Sequence, residues 1–161
     1  MADIIVDGMT RVYYVPTIAN TAAPTVAELN AGTALQTTLI PAGLEGFENT
    51  TAEVDNTSLA STFDTKLPGR QSLSGTGLVF KKQDGTDTIW NLLTVPGTNG
   101  YVVIRDGVAQ ATAWTIADKV EVYPIRTATH NTLGHGEANS LLRYRVPTTV
   151  TSQPNLKAVV A

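Results

Sequence analysis

Short β-branched and aromatic runs, most of them closed by a proline or a glycine, recur along the whole chain and leave no room for a long helix. Arg11-Val12-Tyr13-Tyr14-Val15 is the first, and Pro16 stops it. Such side chains fit a pleated, half-buried surface, and proline cannot donate to a strand ladder. Residues 33–40 and 73–81 read as further strands. The second has Ser74, Gly75, Thr76 and Gly77 in its first half, where glycine marks close backbone approach or a bend. Tyr101-Val102-Val103-Ile104-Arg105 followed by Asp106-Gly107 is the clearest hairpin signal. Residues 119–129 read as one long strand, with Val120 and Val122 facing one way and Lys119 and Glu121 the other. Around Pro124 the apolar parity passes to Tyr123 and Ile125, and a one-residue phase change at a proline predicts a bulge or bend. Leu142, Tyr144 and Val146 alternate with Leu141, Arg143 and Arg145, which predicts a strand with one buried and one charged face, ended by Pro147.

Two short helices interrupt this pattern. Thr25 and Glu28 have the spacing of a capping box at the start of one, and Gly32 suits the left-handed position after its end. Residues 87–93, opening on Asp87, fit a short helix better than a strand. Pro68-Gly69-Arg70 and Lys82-Gln83-Asp84-Gly85 read as turns. Residues 43–66 form the longest stretch without clear periodicity, with a strand at residues 51–55 as the alternative reading of one part; a segment of this length in a compact domain is functional or mobile. The expected fold is mainly β, an antiparallel sandwich or barrel with one or two short helices, a long loop at 43–66 and extended termini, the last of them a tail at 148–161. The 161 residues suit one domain, 1–161, with no linker or repeat.

The surface chemistry narrows the function. Only 16% of residues are charged, against about a quarter in ordinary soluble domains, and Thr, Ala, Asn and Ser take their place. Such a surface is easily buried against a neighbour. The net charge of −3 argues against binding a phosphate backbone by bulk electrostatics. With no cysteine, disulfides, thiolate catalysis and Cys-type zinc sites are excluded. The start, Met1-Ala2-Asp3-Ile4-Ile5-Val6-Asp7-Gly8, has acids where a secretion signal needs bases, and no apolar run approaches the length of a membrane span.

Catalytic constellations are missing. Ser72 and Ser74 lack the flanking glycines of a nucleophile elbow, and Gly75-Thr76-Gly77 lacks the Lys and helix of a phosphate cradle. His130 and His135 share a polar loop without a third nearby ligand, so solvated side chains are the plainer reading than a metal site. Glu45, Glu48, Glu53, Asp55 and Asp64 cluster in one loop, where two acids could serve glycoside cleavage, but acids in a Thr- and Asn-rich loop more commonly serve solubility. Trp90, beside Ile89, and Trp114, two residues before Ile116, read as core and not as sugar platforms.

Three stretches carry a resemblance. One is the run from Arg11 to Asn20 leading into Pro24-Thr25-Val26-Ala27-Glu28-Leu29-Asn30-Ala31-Gly32-Thr33. Another is Glu53-Val54-Asp55-Asn56-Thr57-Ser58-Leu59, ending in Leu67-Pro68-Gly69-Arg70. The third is the later order of strand, short helix, hairpin at Asp106-Gly107 and long strand. Together they resemble the major tail tube proteins of long-tailed, siphovirus-type bacteriophages, most like those infecting actinobacteria. The resemblance implies a virion protein without enzyme activity, cofactor or metal, made and assembled in the host cytoplasm. It implies hexameric rings of this chain, stacked into a tube through which DNA passes without specific binding, with no membrane involved. Tape measure, tail terminator and baseplate or tail-tip proteins are the implied partners. Residues 43–66 and 148–161 are then expected to reach adjacent subunits or rings. Arg143 and Arg145, two apart on one strand face, are expected to pair with a neighbour's acids among Glu45, Glu48, Glu53, Asp55 and Asp64. Other readings are a tail terminator, a head decoration protein, a secretion-tube subunit or a carbohydrate-binding β-sandwich.

Overall fold

The computed structural model describes Asp3, residues 5–136 and residues 138–161. Met1, Ala2 and Ile4, part of the start on which the leader argument rests, and Glu137 lie outside the described residues. The elements are β1 (Thr10–Val15), α1 (Val26–Asn30), β2 (Thr33–Ala34), β3 (Leu39–Glu45), β4 (Thr50–Asp55), β5 (Lys66–Ser72), β6 (Gly77–Lys81), α2 (Thr88–Leu93), β7 (Asn99–Asp106), β8 (Lys119–Thr127), β9 (Asn131–Leu133), β10 (Arg143–Val150) and β11 (Asn155–Val159).

Nine strands make one antiparallel sheet in the order β2-β1-β7-β8-β10-β6-β3, with β11 added to β8 and β9 to β10. Leu35, just past β2 at one end of that path, and Leu39 and Leu44 of β3 at the other pack into the same cluster. The sheet is therefore curled into a half-barrel, which is the mainly β, antiparallel class expected, in a form that neither closes nor splits into two sheets. The second sheet is the hairpin β4–β5, two strands only.

The central strands bury both faces. Val12, Tyr14, Val102, Ile104, Tyr123 and Ile125 belong to the cluster inside the curl, together with Phe80, Tyr144, Val146 and Leu93 of α2. Val15, Val103, Val120, Val122, Ala158 and Val160 belong to a second cluster outside it, under Leu29 of α1 and Trp114. This explains the parity change in β8. The register against β7 runs without a shift from Asn99↔Arg126 to Ile104↔Glu121, so Pro124 makes no bulge. Val120 and Val122 are buried on the outer face, Tyr123 and Ile125 on the inner.

Several boundaries move for physical reasons. The capping box of α1 forms as expected, with the Glu28 carboxylate held below its usual pKa by the Thr25 amide first, then by the Ala19 amide and the Thr25 hydroxyl. Gly32, however, is not left-handed. A side chain there would lie 2.7 Å from the Tyr14 carbonyl oxygen and 2.9 Å from Val15 Cγ2, so its role is to let α1 approach β1. Asp87 caps α2 by accepting from the Trp90 amide at 2.9 Å. The strand expected at 33–40 breaks at Leu35, which is buried and starts a turn with Leu39 N donating to its carbonyl at 2.9 Å. Pro147 does not end β10. Before it the strand pairs with β6 and β9, after it with β6 no longer but with β8, so the missing N–H falls where the partner changes. Pro68-Gly69-Arg70 is no turn but part of β5, beside the register shift between Thr51 and Glu53, and a two-stranded ribbon has free edges that tolerate proline. Residues 73–76 are not strand: Gly75 takes a left-handed bend at φ 68°. The tail expected at 148–161 lies on its own domain. It completes β10, forms β11 on β8, and ends with Val160 buried and the Ala161 amide donating to the Pro24 carbonyl at 3.0 Å.

Candidate assembly interface

The segment expected as a long loop is largely the ribbon β4–β5. All six residues of β4 are exposed, and in β5 all but the half-buried Gly69. Its strands pair from Thr50↔Ser72 to Asp55↔Lys66, with Val54 opposite Leu67 and both about half exposed. The tip, residues 56–65, is tied to itself. The Thr57 hydroxyl and amide hold the Asp55 carboxyl below its usual pKa, and the Thr65 amide donates to Thr57 Oγ1 at 2.9 Å. Asn56 N donates to the Thr65 carbonyl at 3.1 Å, and Ser61 Oγ to the Phe63 carbonyl at 2.6 Å. That internal bonding points Leu59 (106% exposed) and Phe63 (76%) into solvent. An isolated two-stranded hairpin is marginally stable in water, and this one has no core beneath it. The sequence reading passed over Leu59 and Phe63, although two large apolar residues in a Thr-, Ser- and Asp-rich stretch were the signal.

The charged candidates separate into three places. Lys66 and Glu53 pair across the ribbon at 2.5 Å, mostly exposed, which is worth little. Asp64 sits exposed in the tip. Glu48 lines an open groove of about 750 Å³ floored by Val12, Leu39, Leu44 and Ile104. Tyr123 also lines it, its hydroxyl donating to Glu121 at 2.7 Å; burial first and then that carboxylate push the phenol pKa up. Glu45 and Arg145 meet within the chain at 2.5 Å. So one expected pairing, between an arginine of β10 and an acid of the 45–64 stretch, forms inside a single copy, because β10 and β3 both flank β6. Arg143 is half-buried on the same strand face, level with Lys81 and Leu133.

No group of three metal-ligating side chains comes together among the described residues. His130 is half-buried with its ring edge on Trp90, centroids 4.5 Å apart, while His135 is exposed. Trp114 is core, as read, and in an unexpected setting described in the Discussion. No helix among the described residues is long and apolar enough to cross a membrane.

A family model described as phage tail tube protein matches residues 1–161. No curated protein matches the chain. Among solved structures, a chain of the anti-feeding prophage baseplate, determined by cryo-electron microscopy with six-fold symmetry applied, is similar in fold with a TM-score of 0.64. It is 9% identical in sequence, over 96% of this chain and 96% of that one.

Proposed function

The chain belongs to the phage tail tube proteins, a structural family whose members assemble into the tube of the virion tail, and from that premise we propose that β4–β5 is the arm by which each copy grips another. The observation that carries this is the ribbon itself: two strands exposed at every residue but the half-buried Gly69, with apolar Leu59 and Phe63 at the tip and no core of their own. A heterologous contact of this kind closes into a ring by rotation and grows into a tube by translation. The related fold in an assembly solved with six-fold symmetry supports a ring of six copies. The net charge of −3 suits a lumen that lets DNA slide without holding it. Tape measure, tail terminator and baseplate or tail-tip proteins are the partners proposed for the tube's interior and ends. The N-terminal run and the residues 53–70 support an origin in a long-tailed phage of actinobacteria.

Replacing residues 50–72 by a short Gly-Ser linker tests the arm. Residues 43–49 are kept because Leu44 and Phe47 pack on the inner core. The variant should keep its β-rich far-UV circular dichroism and form no tubes in electron micrographs. Tubes of normal appearance from the shortened chain would refute the arm, and loss of folded structure would show that the ribbon is part of the core.

A further inference from the structure

We propose that Arg145 is a latch that sets the angle of the β4–β5 arm before assembly, with Gly46 and Gly75 as the hinge beneath it. This rests on the arm reading above and adds what aims the arm. The ribbon leaves the domain on two legs, residues 45–49 and 73–76. Arg145, on β10, holds both: its Nε donates to Glu45 Oε2 on the first leg at 2.5 Å, and its Nη2 to the Gly75 carbonyl on the second at 2.9 Å.

The backbone around the guanidinium is shaped for bending and for this contact. Gly46 and Gly75 stand side by side, one on each leg, both left-handed at φ 69° and 68°. A side chain on Gly46 would lie 2.6 Å from the Ser74 carbonyl oxygen. Glycine visits that region freely where other residues do not. Gly77, whose φ is ordinary, is needed for another reason: a Cβ there would lie 2.7 Å from Arg145 Nη2 and 2.8 Å from Cζ. The missing side chain is the space in which the guanidinium lies. A planar group with several donors in fixed directions can hold a carboxylate and a carbonyl at once, which a lysine ammonium does less well. Orienting an arm in advance lowers the ordering cost of docking it.

The test uses the cysteine-free background. Spin labels at S61C on the tip and N91C on α2 report the arm's angle in dilute, unassembled protein. Wild type should give one narrow distance distribution. R145Q, E45Q and G77A should each broaden it, G77A without removing a charge, while the melting temperature stays near wild type. The exchange R145E/E45R should narrow it only in part, because a carboxylate at 145 restores the charge pair but cannot donate to the Gly75 carbonyl. Narrow distributions in all three single variants would overturn the latch. So would broad ones with tube formation at wild-type rate. Failure of the 50–72 deletion to stop assembly would instead remove the arm and leave the monomer measurement intact.

Discussion

Two long connections of this chain meet opposite fates. Residues 50–72 stand out from the domain as a bare ribbon, whereas residues 107–118, between β7 and β8, are pulled onto the outer face of the sheet. The difference is two arginines. Arg11 and Arg105 lie directly opposite each other on β1 and β7, 8% and 1% exposed. Like charges so placed repel, and the connection folds over them to offset this. Arg105 donates to the carbonyls of Thr112 at 2.7 Å and Ala113 at 3.0 Å and pairs with Asp118 at 2.7 Å. Arg11 donates to the Thr112 carbonyl and to the Tyr13 hydroxyl. Both guanidiniums lie on the Trp114 ring, 4.7 and 4.9 Å from its centroid. Among the described residues, no buried group calls the β4–β5 ribbon back in this way. A connection with buried anchors beneath it becomes a lid, and one without them stays an arm.

Removing the anchor should break the comparison most strongly. Arg105→Ala removes the charge partner of Asp118 and a donor from the Thr112 and Ala113 carbonyls, and losing one partner of a buried pair costs about 3–5 kcal/mol. Urea unfolding should show that loss, and a change below about 1 kcal/mol would mean that Arg11 and the buried Trp114 hold the connection without Arg105.

The ribbon should respond in the reverse sense. Leu59→Ser with Phe63→Ser should leave the unfolding free energy within about 0.5 kcal/mol, as for other exposed positions. Assembly should suffer, because burying each side chain is worth about 1.5–3 kcal/mol. The concentration needed for tubes should rise by roughly a hundredfold or more. Unchanged assembly by light scattering would place the contact elsewhere on the ribbon.

The smallest effect concerns pH. Burial is the largest single influence on Asp118 and opposes its ionisation, but the Thr115 amide, the Arg105 guanidinium and the Thr115 hydroxyl together hold its pKa below the ordinary value. A carboxyl depressed on folding stabilises the protein above its unfolded pKa, and that contribution disappears as pH falls through the folded value. Below about pH 4 wild type should therefore lose stability more steeply than Asp118→Asn, and near neutrality it should be the more stable of the two. Parallel pH profiles from urea titrations would show that Asp118 adds nothing by its charge.

The strand-forming runs, the capping box at Thr25 and Glu28 and the cap at Asp87 were legible because each depends on residues a few positions apart. The phase change at Pro124 was legible too, but not its meaning: a strand buried on both faces looks, in sequence, like a strand that bulges. Asp106-Gly107 was read as a hairpin turn, and Gly107 does end β7 at φ 81°. The chain then spends residues 107–118 covering Arg11 and Arg105 before β8 begins, which no local signal states. Likewise the acids of 45–64 read as one cluster, yet Glu45 closes a latch, Glu53 braces the ribbon and Glu48 faces a groove. By itself the sequence determined where strands and caps form, since propensity and capping act over a turn or a pleat. Which connection folds back and which stays free was decided only by the tertiary structure, because that depends on charges buried by strands about a hundred residues apart.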